Sequence, residues 1–198
     1  MNLRKQTIAL DHLSVRKLDA ARYHAAKIGY PLNCFATVAP CRGHMPPPES
    51  PADYFATARN WIGVWVRRRI SEFTAIWTVE NNRAGCDPHM HVLLHLPGRF
   101  IPAFGDALAQ QYPGEDAVHV RRDDGKTYLH SSGYHGSTLN YMRKQMTPQA
   151  WWALGKTVRR SKDCGPFVGR RWGTTANVNT TAQNADRRSR ISTIQLAA

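Results

Sequence analysis

The chain has 198 residues, and its 27 lysines and arginines against 14 acidic residues give a formal net charge of +13. This length fits a single domain with a tail, and this charge favours a polyanionic partner, with nucleic acid the first candidate and a membrane surface the second. No apolar run is long enough to span a membrane, and the N-terminus lacks the apolar segment of a secretion signal, so we expect a cytoplasmic protein.

Hydrophobic periodicity and turn-forming residues predict both helices and strands along the chain. In chain order, we expect a helical N-terminal extension over residues 1–30, a short strand over 33–39, a proline-rich loop over 41–51 and a helix over 52–72. Two strands then flank residues 81–88, followed by a helix over 101–111, a strand over 117–122, a short strand and loop over 128–136 and a helix over 138–146. Residues 1–172 are expected to form one domain, and the polar, basic residues 173–198 a disordered tail.

Two histidines one residue apart lie on the second of the paired strands. Side chains alternate between the faces of a strand, so His89 and His91 project from one face while Met90 and Val92 enter the core on the other. A histidine pair of this kind is weak evidence for a metal site unless other ligands support it. His95 shares the same face but lies about 13 Å further along the strand, so we interpret it as a partly exposed sheet residue.

A carboxylate supports the histidine pair. The alternation of residues 73–80 places Glu80 at the end of the preceding strand, and the connection rich in Asn, Gly and Pro over 81–88 predicts a hairpin. Glu80 would then emerge beside His89 at the start of the next strand. One carboxylate and two imidazoles suit Mg²⁺ or Mn²⁺ acting on an anionic substrate, with zinc as an alternative.

The helix predicted over 138–146 carries a tyrosine and a lysine on its polar face. Leu139, Met142 and Met146 form the buried stripe, whereas Tyr141 and Lys144, three residues apart, share the opposite face. Such a pair of residues is either an ordinary part of the protein surface or part of a functional site. In the functional interpretation, Lys144 lowers the cost of forming the phenolate or neutralises charge on a phosphate.

These motifs together resemble a known family. The pattern Glu-x8-His-x-His over residues 80–91, followed by Tyr-x-x-Lys over 141–144, is similar to the single-tyrosine HUH endonucleases of the rolling-circle replication initiator (Rep) type. Residues 35–40, FATVAP, are similar to the first, structural motif of that family, and residues 169–174, GRRWGT, resemble basic segments that close some Rep domains. The order of the motifs differs from that of conjugative relaxases, in which the tyrosine precedes the histidines.

The resemblance implies a fold and a reaction. The fold would be α+β, with a central antiparallel sheet flanked by helices around a ferredoxin- or RRM-like core. The metal held by Glu80, His89 and His91 would polarise a scissile phosphate in single-stranded DNA. Tyr141 would attack that phosphate, leaving a 5′-phosphotyrosine and a free 3′-OH, and Lys144 would assist it.

The resemblance also implies partners. The substrate would be single-stranded DNA at a plasmid or phage origin, presented in a hairpin, and a host helicase and polymerase would complete replication. Basic residues would grip the DNA backbone and exposed aromatic residues would stack on bases. The candidates for these contacts are Arg121, Arg122, Arg170, Arg171 and Trp172.

Three alternatives remain at the level of sequence. Gln145, four residues after Tyr141, resembles the accessory metal ligand of HUH transposases of the IS200/IS605 type. A non-catalytic nucleic-acid-binding protein would also explain the positive charge, and a metal-dependent nuclease could use water instead of Tyr141. Tyr134 precedes Tyr141 by seven residues across a loop, which differs from the close pair of two-tyrosine Reps, so we expect one nucleophile.

Overall fold

The computed structural model describes residues 6–43, 49–82, 84–85, 87–124, 128–129, 135–155 and 165–196. The described strands are β1 (Gln6–Thr7), β2 (Cys34–Val38), β3 (Ala75–Glu80), β4 (His89–Leu94), β5 (Val118–Arg122), β6 (Tyr128–Leu129), β7 (His135–Gly136), β8 (Phe167–Val168) and β9 (Trp172–Thr174). The α-helices are α1 (His12–Lys27), α2 (Pro51–Arg67), α3 (Ile101–Gln111), α4 (Thr138–Met142), α5 (Pro148–Ala153) and α6 (Thr180–Leu196).

A five-stranded antiparallel sheet forms the centre of the fold, with strand order β5-β2-β4-β3-β9. The hairpin of β3 and β4 places Glu80 directly opposite His89 and Thr78 opposite His91. Directly opposed residues share a face of the sheet, so these four side chains project from the same side. The prediction of an α+β fold with a central antiparallel sheet flanked by helices is confirmed.

The two faces of this sheet bury separate hydrophobic cores. On one face α2 and α3 pack against the sheet, and on the other α1, α4 and α5 do so. Met90 and Val92 lie in the first core and Leu93 in the second, as the alternation in β4 predicts. His95, just after β4, is partly exposed, as predicted. Within the described part of the chain, no helix combines the length and the apolar character needed to cross a bilayer.

The helix that carries the tyrosine is shorter than its sequence pattern predicts. Helix α4 ends at Met142, where the backbone N–H of Arg143 bonds back to the carbonyl of Leu139. The chain then extends, because the backbone of Leu10 accepts a hydrogen bond from Thr147 and donates one to Gln145. Pairing with this distant segment therefore competes successfully with the last turn of the predicted helix.

The prediction of a disordered tail from residue 173 is wrong for residues 173–196. Strand β9 pairs with β3 and thereby extends the sheet across the predicted domain boundary at residue 172. Val178 is fully buried in the core shared with α1, and Asp186 of α6 forms an ion pair with Lys27. The polar composition was misleading, because one apolar anchor and a strand of three residues are enough to attach this segment.

Gly173 in β9 provides a prediction about stability. Its partner in β3 is Trp77, and a Cβ atom at position 173 would lie 2.4 Å from the Trp77 indole. We expect Gly173→Ala to lower the free energy of unfolding by about 1–3 kcal/mol in urea denaturation, because overpacking displaces the indole. The control is Gly105→Ala in α3, where a Cβ meets only Val120 at 3.6 Å and helix propensity improves. Equal stability of the Gly173 variant and the wild type would contradict this explanation.

Candidate active site

Glu80, His89 and His91 converge at one end of the central hairpin. The Oε2 atom of Glu80 lies 3.1 Å from Nε2 of His89 and 3.4 Å from Nε2 of His91. All three residues are buried, and one ligand atom from each lies within 4.8 Å of the other two. The three residues predicted to bind a metal are therefore brought together in a group that could hold a metal ion.

Hydrogen bonds orient both imidazoles so that their Nε2 atoms point toward Glu80. The Nδ1–H of His89 donates to the backbone carbonyl of Asp87 at 3.0 Å, and Nδ1 of His91 lies 2.9 Å from the Thr37 hydroxyl. Such contacts fix the tautomer that leaves Nε2 free to coordinate a metal. Burial lowers the pKa of His91 to about 4 even though Glu80 opposes this shift, so the ring is neutral at pH 7, as a ligand must be.

Buried polar atoms without partners support a cation at this position. Among the described residues, Oε1 of Glu80, Nε2 of His91 and Oγ1 of Thr78 are buried and form no hydrogen bond. An unsatisfied buried polar atom costs about 1–3 kcal/mol, so a cluster of them in a folded protein calls for a ligand or ion. A divalent cation would satisfy the carboxylate and the imidazole together.

Lys144 brings a positive charge to the same carboxylate. Its Nζ atom lies 2.8 Å from Oε2 of Glu80. Burial opposes the charge on Lys144, but the Glu80 carboxylate and the Tyr141 phenol outweigh this effect and raise the pKa of the lysine. Burial likewise raises the pKa of Glu80, yet Lys144 foremost holds it well below its ordinary value. The site therefore contains an ionised carboxylate and an ammonium group at neutral pH.

The Tyr141 ring lies on the same side of the sheet as the two histidines. The centroids of the Tyr141 and His91 rings are 5.1 Å apart, and the angle between the ring planes is 68°. The Nζ atom of Lys144 lies 3.5 Å from the centroid of the Tyr141 ring. The tyrosine is only partly buried, in contrast to the metal-ligand candidates. The carboxylate, the imidazoles, the ammonium and the phenol thus surround one small region.

Two polar anchors hold α4 in this position. At its start, the Thr138 hydroxyl donates to Asp123 at 2.9 Å and accepts from Arg121 at 2.8 Å. At its end, Arg143 forms an ion pair with Asp19 of α1. Both ends of a helix of only five residues are therefore fixed to neighbouring elements, which orients Tyr141 despite the short helix.

Phe35 and Thr37 in β2 are site residues that sequence reasoning did not assign. The Phe35 ring stacks on the His91 ring with centroids 5.3 Å apart, and Thr37 contacts the same imidazole. The alternation of side chains along β2 puts Phe35 and Thr37 on one face of this strand. What it did not reveal is that β2 is the neighbour of β4, which depends on pairing between segments more than 50 residues apart.

The side chain of Gln145 is engaged outside the metal-ligand group. Its Nε2–H donates to the backbone carbonyl of Asn81 at 2.8 Å, and its Oε1 accepts from Arg171 at 2.9 Å. Asn81 follows Glu80 in the chain, and Gln145 follows Lys144. The hydrogen bond between Asn81 and Gln145 therefore holds these two parts of the site together. Its role as an accessory ligand stays a prediction, and it would require the amide oxygen to leave the Arg171 guanidinium.

Arg171, one of the predicted DNA contacts, is buried in a network of hydrogen bonds. Only 3% of the residue is exposed, and its guanidinium donates to the backbone carbonyls of Thr7, Val79 and Gly165 and to the amide of Gln145. Carbonyl oxygens accept these hydrogen bonds, which tie β9 to β3 and to the N-terminal segment. Arg171 therefore has a structural role in the fold, and its part in DNA binding stays a prediction.

The other predicted DNA contacts lie at or near the surface. Arg122 and Arg170 are exposed, and Arg121 and Trp172 are partly buried. The guanidinium of Arg121 lies 4.9 Å over the Phe35 ring, close to the site, while Arg170 and Trp172 belong to the opposite edge of the sheet. Tyr134 lies outside the described residues.

Lys144 should compete with a bound divalent cation. We expect Lys144→Met to bind Mn²⁺ about tenfold more tightly than the wild type, which corresponds to about 1.4 kcal/mol, because a like charge has been removed from the Glu80 carboxylate. Isothermal titration calorimetry measures this change. Lys144→Arg keeps the charge and should retain affinity close to that of the wild type. Weaker Mn²⁺ binding by the methionine variant would contradict the competition.

Comparisons of the chain with protein-family models, with curated proteins and with solved structures find no match.

Proposed function

We propose that this protein nicks and rejoins single-stranded DNA through Tyr141, with a divalent cation, Mg²⁺ or Mn²⁺, held by Glu80, His89 and His91. The observation that carries the proposal is the position of the tyrosine ring, 5.1 Å from the His91 ring and on the same sheet face as the three candidate ligands. The ammonium of Lys144, which pairs with Glu80, also lies 3.5 Å from the centroid of the tyrosine ring, where it would stabilise a phenolate.

The chain's own groups supply the nucleophile and its activation. The Tyr141 oxygen would attack the scissile phosphorus, forming a phosphotyrosine bond as the 3′ oxygen departs with the electron pair and takes up a proton. The phenolic proton would pass to solvent, and the Lys144 ammonium would stabilise the phenolate. A cation at Glu80, His89 and His91 would polarise a phosphate oxygen and offset the charge that builds on it. Attack by a new 3′-OH would reverse these steps and reseal the strand without ATP.

The biological role that this chemistry supports best is initiation of rolling-circle replication of a plasmid or phage. The free 3′-OH would prime a host polymerase, a host helicase would unwind the duplex, and the covalent bond would preserve the 5′ end until joining. The substrate would be an origin in single-stranded form, for example in a hairpin, in the cytoplasm. The net charge of +13 supports a nucleic-acid substrate.

Two other catalytic roles differ from this proposal in a ligand or in a product. A transposase of the IS200/IS605 type would form the same covalent bond but would depend on Gln145 as a ligand, whereas its amide oxygen is engaged by Arg171. A nuclease that uses water would cleave without any bond to the protein. A non-catalytic binding protein would do neither.

The test is incubation with Mn²⁺ and labelled single-stranded DNA, followed by denaturing electrophoresis. We expect a labelled species that migrates with the protein after denaturation and disappears with EDTA. A pool of randomised single strands serves as substrate, and sequencing of the cleaved members identifies the recognised sequence. Cleavage without a retained label would contradict the tyrosine mechanism, and the absence of cleavage from the whole pool would contradict the nuclease activity.

A further inference from the structure

The edge of the sheet at β9 carries two arginines stacked on one tryptophan. Because Gly173 has no side chain, the Trp77 indole lies over β9. The guanidinium carbon of Arg59 is 4.0 Å from the centroid of this indole, and that of Arg170 is 5.7 Å from it. Two cations from different elements, α2 and the segment before β9, are thus held at the same ring.

The described part of the chain gives this pair of arginines no anionic partner. Among the described residues, no carboxylate lies within ion-pair distance of Arg59 or Arg170. Burial and the charge of Arg170 lower the pKa of Arg59 to about 10, so the two cations oppose each other. A half-buried charge without a counter-charge is costly, and two neighbouring guanidinium groups offer the donors that a phosphate accepts.

The edge is continuous with the candidate active site. Trp172 pairs with Thr78, and Thr78 pairs with His91, so the three residues form one row across a single sheet face. With about 4.8 Å between strands, Trp172 lies about 10 Å from His91. The guanidinium of Arg170 is 6.0 Å from the Trp172 ring, which connects the row to the arginine pair.

A cavity adjoins Trp172 on this row. It has a volume of about 230 Å³, and its lining includes Leu10, Ser14, Arg170 and Trp172. Pockets for drug-sized ligands measure about 300–1,000 Å³, so this one is suited to a smaller group such as a single nucleobase. An aromatic side chain beside such a cavity is the usual platform for stacking an unpaired base.

We infer that the sheet edge at β9 is a second binding site for single-stranded DNA, in which Arg59 and Arg170 hold a backbone phosphate and Trp172 stacks on a neighbouring base. This inference rests on the proposed function for the identity of its ligand. A strand bound at the metal-ligand group would continue along the row from His91 to Trp172 and pass around the edge to the arginine pair.

The test is the salt dependence of DNA binding by the double variant Arg59→Gln and Arg170→Gln. Fluorescence anisotropy of a labelled mixed-sequence single strand is measured over a range of NaCl concentrations with the full chain. Removing one phosphate contact should make the slope of log affinity against log salt shallower by about 0.7. The control is Arg68→Gln, which removes one charge from the exposed C-terminal end of α2 and is therefore matched to the single variant Arg170→Gln. The single variant Arg170→Gln changes an exposed residue, so it tests the site even if the double variant misfolds.

The outcomes separate this inference from the proposed function. A shallower slope in the arginine variants, with the slope of Arg68→Gln close to that of the wild type, supports the second site. If the slopes of all variants equal that of the wild type while the covalent adduct still forms, the second site is refuted and the proposed function stands. If the slope changes but no protein forms an adduct, the second site stands and the nicking activity is refuted.

Loss of binding to phosphatidylserine vesicles in the variants, with DNA binding unchanged, would assign the arginines to a lipid surface instead and overturn the inference.

Discussion

Tyr141→Phe should abolish the covalent DNA adduct while Mn²⁺ binding and DNA binding persist. The change removes one oxygen and preserves the ring, whose contacts with His91 and Phe35 hold it in place. Because the adduct requires a bond from that oxygen to phosphorus, its yield should fall by roughly 1,000-fold or more. The measurement is the labelled protein band on a denaturing gel after incubation with Mn²⁺ and a cleavable single strand.

Tyr23→Phe is the control for this experiment, because Tyr23 is 76% exposed and lies on α1. It should form as much adduct as the wild type. An adduct of undiminished yield in the Tyr141 variant would refute Tyr141 as the nucleophile. Cleavage that continues in that variant without an adduct would favour a water-dependent nuclease.

Glu80→Gln should remove divalent-metal binding and metal-dependent cleavage together. The amide is nearly isosteric with the carboxylate but lacks its negative charge. His89, His91 and Lys144 all contact Oε2 of this carboxylate. Loss of an outer hydrogen bond to a metal ligand costs about 10–100-fold in affinity, and loss of a charged ligand should exceed about 100-fold. Calorimetric titration with Mn²⁺ measures this directly, without reference to activity.

Glu72→Gln is the matched control, since Glu72 is exposed and precedes the same strand. Its Mn²⁺ affinity should equal that of the wild type. The Glu80 variant also leaves the Lys144 ammonium without its carboxylate, so thermal unfolding should accompany the titration to separate lost binding from lost structure. A folded Glu80 variant that binds Mn²⁺ as tightly as the wild type would contradict the proposed ligand set.

The local part of the site was predictable because a strand has a period of two. Once β4 was recognised, His89 and His91 had to share a face, and the hairpin then placed Glu80 beside them. Helix α3 was predicted with its observed bounds, since Pro102 favours a helix start and Pro113 prevents its continuation. These features depend on residues that are close in the sequence.

The remaining features depend on distant partners. Strand β9 has only three residues, and its pairing with β3 is invisible in its own composition. Arg171 belongs to a residue type that is almost always exposed, and its burial depends on carbonyl groups from three separate segments. The early end of α4 likewise depends on Leu10, which is more than 130 residues away.

The most direct test of the central claim is to identify the residue that carries the DNA. The Mn²⁺-dependent adduct is digested with protease and nuclease, and the modified peptide is sequenced by tandem mass spectrometry. We predict a nucleotide phosphate linked to Tyr141. A phosphate on any other residue, or cleaved DNA with no modified peptide, would show that the phenol beside Glu80, His89 and His91 is not the attacking group.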